Sequence, residues 1–293
     1  MSDSLLKVFA TRASDLSDSQ VLLAALQTAS IRLLLGDGAS RPVLQPLHTK
    51  EVGDGEWLGP LLDLGEEERW AVGCHVNEEL EAAGSNSVQF TYGEFPLEAF
   101  TRLLDRAIEG KDPRECTFCD LGSGVGRLVL TAAARYRWRR CIGFEAVPAL
   151  HALALELHAR VATVADAHQA TISPCELKRL ELNAANASDE LRSVDVLFAY
   201  STCFDSAMFA TLLANLGAGA VAITIDVASE CTGLATAFEL LHQESKLRFA
   251  SVDELAPELS DELGEFESTA CVWRRRRVDM SMQMPDSKSA LER

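Results

Sequence analysis

The stretch Thr117-Phe118-Cys119-Asp120-Leu121-Gly122-Ser123-Gly124-Val125-Gly126-Arg127 decides how this chain is to be read. An apolar strand runs into an acid and three glycines, and a helical pattern then begins near Val125. Glycine has no Cβ, so Gly122, Gly124 and Gly126 allow a tight turn and the close approach of a ligand. The start of the helix is expected to aim free N–H groups at that ligand. Glycine spacing alone fits any nucleotide-binding α/β fold. Glu145 sharpens it, because it ends the next apolar strand, Arg140 to Glu145, one strand–helix unit later. An acid at that point is placed to accept both hydroxyls of a ribose.

Outward from this stretch the pattern alternates. Helices are predicted over 96–109, 125–136, 148–168, 205–216 and 232–243, and strands over 117–121, 140–145, 175–182, 194–200 and 220–226. Strands separated by helices of this length imply a parallel, doubly wound sheet. Two further strands, Lys246 to Val252 and Ser268 to Arg275, flank an acidic loop and suit an antiparallel edge hairpin. Upstream, 18–35 and 66–83 read as helices joined by a connector with Pro and Gly. The expected organisation is a helical N-terminal region over 1–90 that packs on or lids the core, a main domain over 91–278, and a disordered tail over 279–293.

The 293 residues are 47% apolar and 24% charged, as expected of a soluble globular protein with a sizeable core. No apolar run approaches the roughly 18 residues that a membrane span requires. Met1 to Asp18 carries acids and lacks an apolar signal core, so an intracellular protein, nuclear or cytoplasmic, is expected. Eight cysteines, most within apolar runs, read as reduced buried thiols. Cys116 and Cys119 have metal-ligand spacing, but residues three apart on a strand face opposite sides of a sheet. No metal site is expected.

Lys and Arg number 27 against 44 Asp and Glu, a net charge of −17. Such a balance disfavours strong direct binding to nucleic acid, which needs cations against phosphates. Ten acids lie within 51–85 against the single Arg69, and seven acids and no base lie within 253–267. Acidic faces of this kind suit a basic protein partner. The basic clusters Arg135/Arg137/Arg139/Arg140 and Arg274 to Arg277 read as solvated rims. Trp138 beside the first cluster is placed for cation–π contacts. His151 and His158, seven apart on one helix face, lack the spacing of four that a metal pair prefers.

The acid, the glycine loop and Glu145 together resemble the S-adenosylmethionine (SAM) site of class I methyltransferases. Tyr92-Gly93-Glu94, a helix, Asp120-Leu121-Gly122-Ser123-Gly124-Val125-Gly126 and Gly143-Phe144-Glu145 then resemble a narrower group. That group is the SET-independent histone-lysine methyltransferases of the disruptor-of-telomeric-silencing type. The resemblance, over about 90–230, implies an α/β fold of the class I methyltransferase (Rossmann-like) kind, a seven-stranded and mostly parallel sheet. It implies SAM as cofactor, held by Tyr92, Glu94, Asp120, Gly122, Ser123, Gly124, Gly126 and Glu145. An acid after the third strand binds the adenine amino group in that family, and Glu181 falls where it is expected.

The family follows its fourth strand with Asn-Asn-Phe-Ala-Phe, which lines the lysine channel. This chain reads Tyr200-Ser201-Thr202-Cys203-Phe204. The final aromatic is retained and both asparagines are replaced. A neutral lysine needs an apolar, aromatic channel, and Tyr92, Tyr200 and Phe204 are expected to supply its walls, with Ser201 or a backbone carbonyl accepting an amine hydrogen. Cys203 has no well-placed His to activate it as a nucleophile. A basic protein such as a histone is the expected acceptor. The alternatives are another protein, a small molecule, or a SAM-binding protein without activity.

Overall fold

The computed structural model describes Leu62, Val72, Val76 and residues 95–277, apart from 184, 202, 203, 205, 228–233 and 249–266. The predicted helix over 18–35, most of that over 66–83, and the tail lie outside the described residues.

Helix α1 (Leu97–Ala107) precedes β1 (Thr117–Leu121), α2 (Arg127–Arg135), β2 (Arg140–Glu145), α3 (Pro148–Ala167) and β3 (Cys175–Arg179). Then follow α4 (Ala187–Leu191), β4 (Val196–Ala199), α5 (Ser206–Leu213), β5 (Val221–Ile225), α6 (Leu234–Ala237), β6 (Phe238–Arg248) and β7 (Glu267–Arg275). The sheet has seven strands in the order β3-β2-β1-β4-β5-β7-β6. β1 to β5 are parallel, and β7 is antiparallel to both β5 and β6.

Strands β1, β4 and β5 are buried along their whole length because helices cover both faces. Phe118, Cys141, Val196, Phe198, Val221 and Ile223 point to one face, where Phe100, Leu103 and Val129 of α1 and α2 meet them. Cys119, Ile142, Leu197 and Ala222 point to the other, toward Leu191, Phe209 and Leu212 of α4 and α5. Cys116 and Cys119 fall into these opposite layers, as their spacing predicts.

One predicted element is overturned. The helix over 232–243 is only the single turn Leu234–Ala237, and from Phe238 the chain is strand. Leu234, Phe238 and Leu241 sit at helical spacing, which is what the periodicity reports. The open edge of β7 outweighs it, because pairing from Phe238↔Arg275 to Arg248↔Glu267 satisfies the backbone. Register shifts between Leu240 and His242 and between Glu244 and Leu247 blur the strand's own alternation. Among the described residues no helix is long and apolar enough to cross a membrane.

Candidate active site

The glycine loop leaves β1 at the carboxyl edge of the parallel strands. Gly122, Gly124 and Gly126 take φ of 72°, 54° and 81°, left-handed values that side chains disfavour. The N–H groups of Gly122 and Ser123 both donate to the Phe144 carbonyl, each at 2.9 Å. The Gly126 N–H donates to the Ser123 carbonyl at 2.8 Å. The Gly124 N–H donates to Oε2 of Glu145 at 2.8 Å. These four donors are therefore spent inside the protein; of them only Gly126, the N-cap of α2, belongs to the helix start that was expected to face a ligand. A loop that cradles a phosphate leaves such donors open, whereas this one folds back onto β2.

The glycines also have unequal roles. A Cβ on Gly126 would lie 3.4 Å from that of Ala154 and 3.6 Å from Leu177, so this residue serves the packing of α3 and β3 on the loop. A Cβ on Gly122 would lie 3.5 Å from Cζ of Phe204, on the acceptor side. Ser123, expected on the cofactor, is buried, and its Oγ would lie 2.8 Å from a Cβ on Gly143. Its side chain is turned toward β2, which is why Gly143 bears none.

Two buried acids flank the loop. Glu145 is 6% exposed and accepts from Gly124 at one oxygen and from the Val147 N–H at the other, 2.7 Å away. Burial pushes its pKa up, and these backbone donors oppose that. Asp120 is 2% exposed, and burial, then the neighbouring Glu145, pushes its pKa up to about 8. At neutral pH Asp120 thus holds a proton beside an acid held by N–H donors. A carboxylate offers about four lone-pair directions. The Gly124 and Val147 N–H groups occupy one direction on each oxygen, and the Ala146 N–H also acts on the carboxylate. Acceptor capacity remains for a ribose hydroxyl, so the residues present fit the cofactor.

Glu181 lies beyond the end of β3, two positions past Arg179, the register partner of Glu145. Its side chain is exposed, and its carbonyl accepts from Nδ2 of Asn186 at 3.0 Å. The structure brings it to the cofactor edge without seating it on the loop.

On the acceptor side, Tyr200 follows β4 and meets Phe95 edge-on at 5.7 Å. Phe95 also meets Phe198 at 5.3 Å. Phe204 stacks on Phe209 at 5.4 Å with ring planes 9° apart. Ser201 is buried; its hydroxyl donates to the Ile225 carbonyl at 2.6 Å and accepts from the Ile225 N–H at 3.2 Å. The expectation that this hydroxyl accepts an amine hydrogen is corrected, because β5 already holds it. Tyr92, Glu94 and Cys203 lie outside the described residues. Phe95 and Asp226 were not expected here. Asp226, at φ 52°, accepts from the Thr269 N–H at 2.6 Å and pins β7 to the end of β5. Nothing in the local sequence signals that pairing.

The basic cluster lies at the other edge of the sheet and is largely neutralised. Arg135 pairs with Asp105 at 2.6 Å, Arg139 with Asp195 at 3.3 Å and Arg140 with Glu176 at 3.4 Å. Trp138 is a core residue packed on Phe118 and Tyr136, and Arg135 lies instead over Tyr136. Half-buried His151 has its pKa lowered by burial and by Arg179. No cluster of three metal-ligating side chains occurs among the described residues.

Among curated proteins nothing matches this chain. Among solved structures it is similar to an RNA methyltransferase from Salinibacter ruber in complex with S-adenosyl-L-homocysteine. There the identity is 18%, the TM-score 0.41, and the match covers 66% of this chain and 97% of that one. For a putative RNA methyltransferase from Pyrococcus horikoshii the identity is 15%, the TM-score 0.47 and the coverage 69% and 99%. For the magnesium protoporphyrin IX methyltransferase of Synechocystis with bound SAM they are 11%, 0.43, and 74% and 88%. The family model described as histone methylation protein DOT1 matches residues 75–278, beyond both limits of the motif resemblance. The chain belongs to the DOT1 histone-methylation family and is a SAM-dependent methyltransferase.

Proposed function

We propose that this methyltransferase modifies a lysine amine on a basic protein. The observation that carries the reading is Phe204, an aromatic from the loop after β4 set directly against Gly122 of the cofactor loop. Bound SAM supplies an electrophilic methyl on a sulfonium. Glu145 orients the ribose, Asp120 lies buried beside it, and the Tyr92 to Glu94 segment and Glu181 complete the cofactor side. A free lysine amine titrates near ~10.4 and attacks only when neutral. Phe204 and Tyr200 offer it an apolar wall, which disfavours the charged form and helps to discharge it. The protein's further contribution is alignment, because an in-line transfer is governed by the placing of nucleophile and methyl.

Charge supports a basic acceptor. Of the seven acids within 253–267, Glu267 opens β7 and six belong to the connection between β6 and β7. Its described ends, Arg248 and Glu267, pair with each other at the carboxyl edge of the parallel strands, where the glycine loop also lies. We also place the region over 1–90 against the core. Val72 and Val76 are buried with Val125 of the loop and Val147 beside Glu145, and Leu62 is buried with Leu130 and Leu157.

The test is incubation with labelled SAM and four acceptors: free histones, intact nucleosomes, an arginine-rich protein lacking lysine, and a metabolite extract. Free histones are expected to be labelled on lysine, better than nucleosomes, and less so as salt screens the acidic faces. Label confined to the metabolite extract contradicts the reading.

A further inference from the structure

We propose that Ser201 is a positioning residue, a side-chain rung between β4 and β5 that holds Phe204 against the cofactor loop. The inference deepens the proposed function, since it concerns the acceptor half of the same site. The backbone ladder between the two strands ends at Ala199↔Thr224. Beyond it the chain turns away through Tyr200, yet Ile225 is fully buried with its N–H and C=O on the β4 side. Both groups need partners, because an orphaned buried backbone group is costly. The Ser201 hydroxyl meets both, donating to the carbonyl at 2.6 Å and accepting from the N–H at 3.2 Å.

From this anchor the loop is built outward. The Ser201 carbonyl accepts from the Phe204 N–H at 3.1 Å, and the Phe204 ring lies on Phe209 and beside Gly122. The far side of the same strand end is fixed by Asp226, whose N–H donates to the Thr269 carbonyl at 2.8 Å and whose carboxylate takes the Thr269 N–H. The acceptor wall is thus fastened through one hydroxyl to a strand end that β7 clamps. Among the described residues the Ser201 hydroxyl bonds Ile225 and neither the loop glycines nor Glu145, so its effect on transfer passes through Phe204.

Ser201→Ala removes the rung and Ser201→Thr retains the hydroxyl. Hydrogen exchange at the Ile225 and Phe204 amides, the S-adenosylhomocysteine dissociation constant and single-turnover methylation are measured on the full chain. In Ser201→Ala, exchange at both amides is expected to rise and turnover to fall by about tenfold, the upper range for one hydrogen bond. The dissociation constant should stay within about threefold, since the backbone donors to Glu145 are untouched. Ser201→Thr should restore protection and turnover together.

Unchanged exchange with lost turnover would mean direct action on the acceptor and would overturn the proposal. So would full protection and full turnover in Ser201→Ala, or an equal loss of cofactor affinity. If the wild type methylates no protein, the exchange arm still reads the rung, and the failure belongs to the lysine reading alone.

Discussion

At the amino ends of the parallel strands, Arg139 meets Asp195, Arg140 meets Glu176, and the Thr117 N–H donates to the same Asp195 at 2.8 Å. At the carboxyl ends, Asp120 and Glu145 are buried, and among the described residues no ion pair reaches either. One edge spends its charges on each other in solvent, where an ion pair is worth little. The other retains buried acids on backbone N–H groups and on a retained proton, a costly arrangement in a ligand-free protein. The contrast locates the chemistry, since perturbed carboxyls in a recess mark a working site better than a dense basic cluster does.

The contrast breaks most visibly at Gly124. Its φ of 54° disfavours any side chain, and its N–H bond to Glu145 would set a second acid beside the first. Gly124→Asp should weaken SAM binding by more than about a hundredfold by calorimetry, as expected when strain and like-charge repulsion act together. Glu145→Ala should cost about 1.5–3 kcal/mol of SAM affinity, the range for hydrogen bonds to a charged group. An unchanged affinity would leave Glu145 as a brace for the loop alone.

Asp120 sharpens the same comparison through pH. Its pKa is raised in the folded state to about 8, so the native protein holds a proton that the unfolded chain has released. Stability from this group is complete below the unfolded value near ~3.9 and is lost as pH rises through the folded value. Between those limits the ligand-free protein should lose about 1.4 kcal/mol per pH unit from this source. Asp120→Asn should flatten that slope in thermal melts between pH 5 and pH 8, and a slope identical to the wild type would refute the assignment. The smallest effect belongs to the far edge. Arg139→Ala removes a half-exposed pair and should cost about 0.2–1 kcal/mol of stability with no change in SAM affinity.

The parallel half of the sheet was legible because its strands are short apolar runs closed by punctuating residues. β1 and β2 fall on Thr117–Leu121 and Arg140–Glu145, as the sequence reading has them. β3 ends earlier, at Arg179, because its one neighbour, β2, ends at Glu145, the register partner of Arg179. β6 was hidden because its partner lies across the acidic connection, and Leu234, Phe238 and Leu241 around its start carry a helical period. At the site, the glycines and the two buried acids announced themselves by type and spacing. The role of Ser201 did not, since it depends on where β4 leaves the sheet relative to Ile225, a distance no local window contains. Nor did the inward bonding of the loop donors, which follows from Phe144 standing opposite Leu121 in register.

The central claim is that one carboxyl edge holds SAM on Glu145 and the acceptor lysine against Phe204. It is tested most directly by single-turnover transfer from SAM to free histones in Phe204→Ala, with the SAM dissociation constant measured on the same sample. Transfer should fall by about tenfold or more through lost alignment, with the dissociation constant within about threefold of the wild type. Transfer at the wild-type rate, or a loss explained wholly by weaker SAM binding, would contradict it.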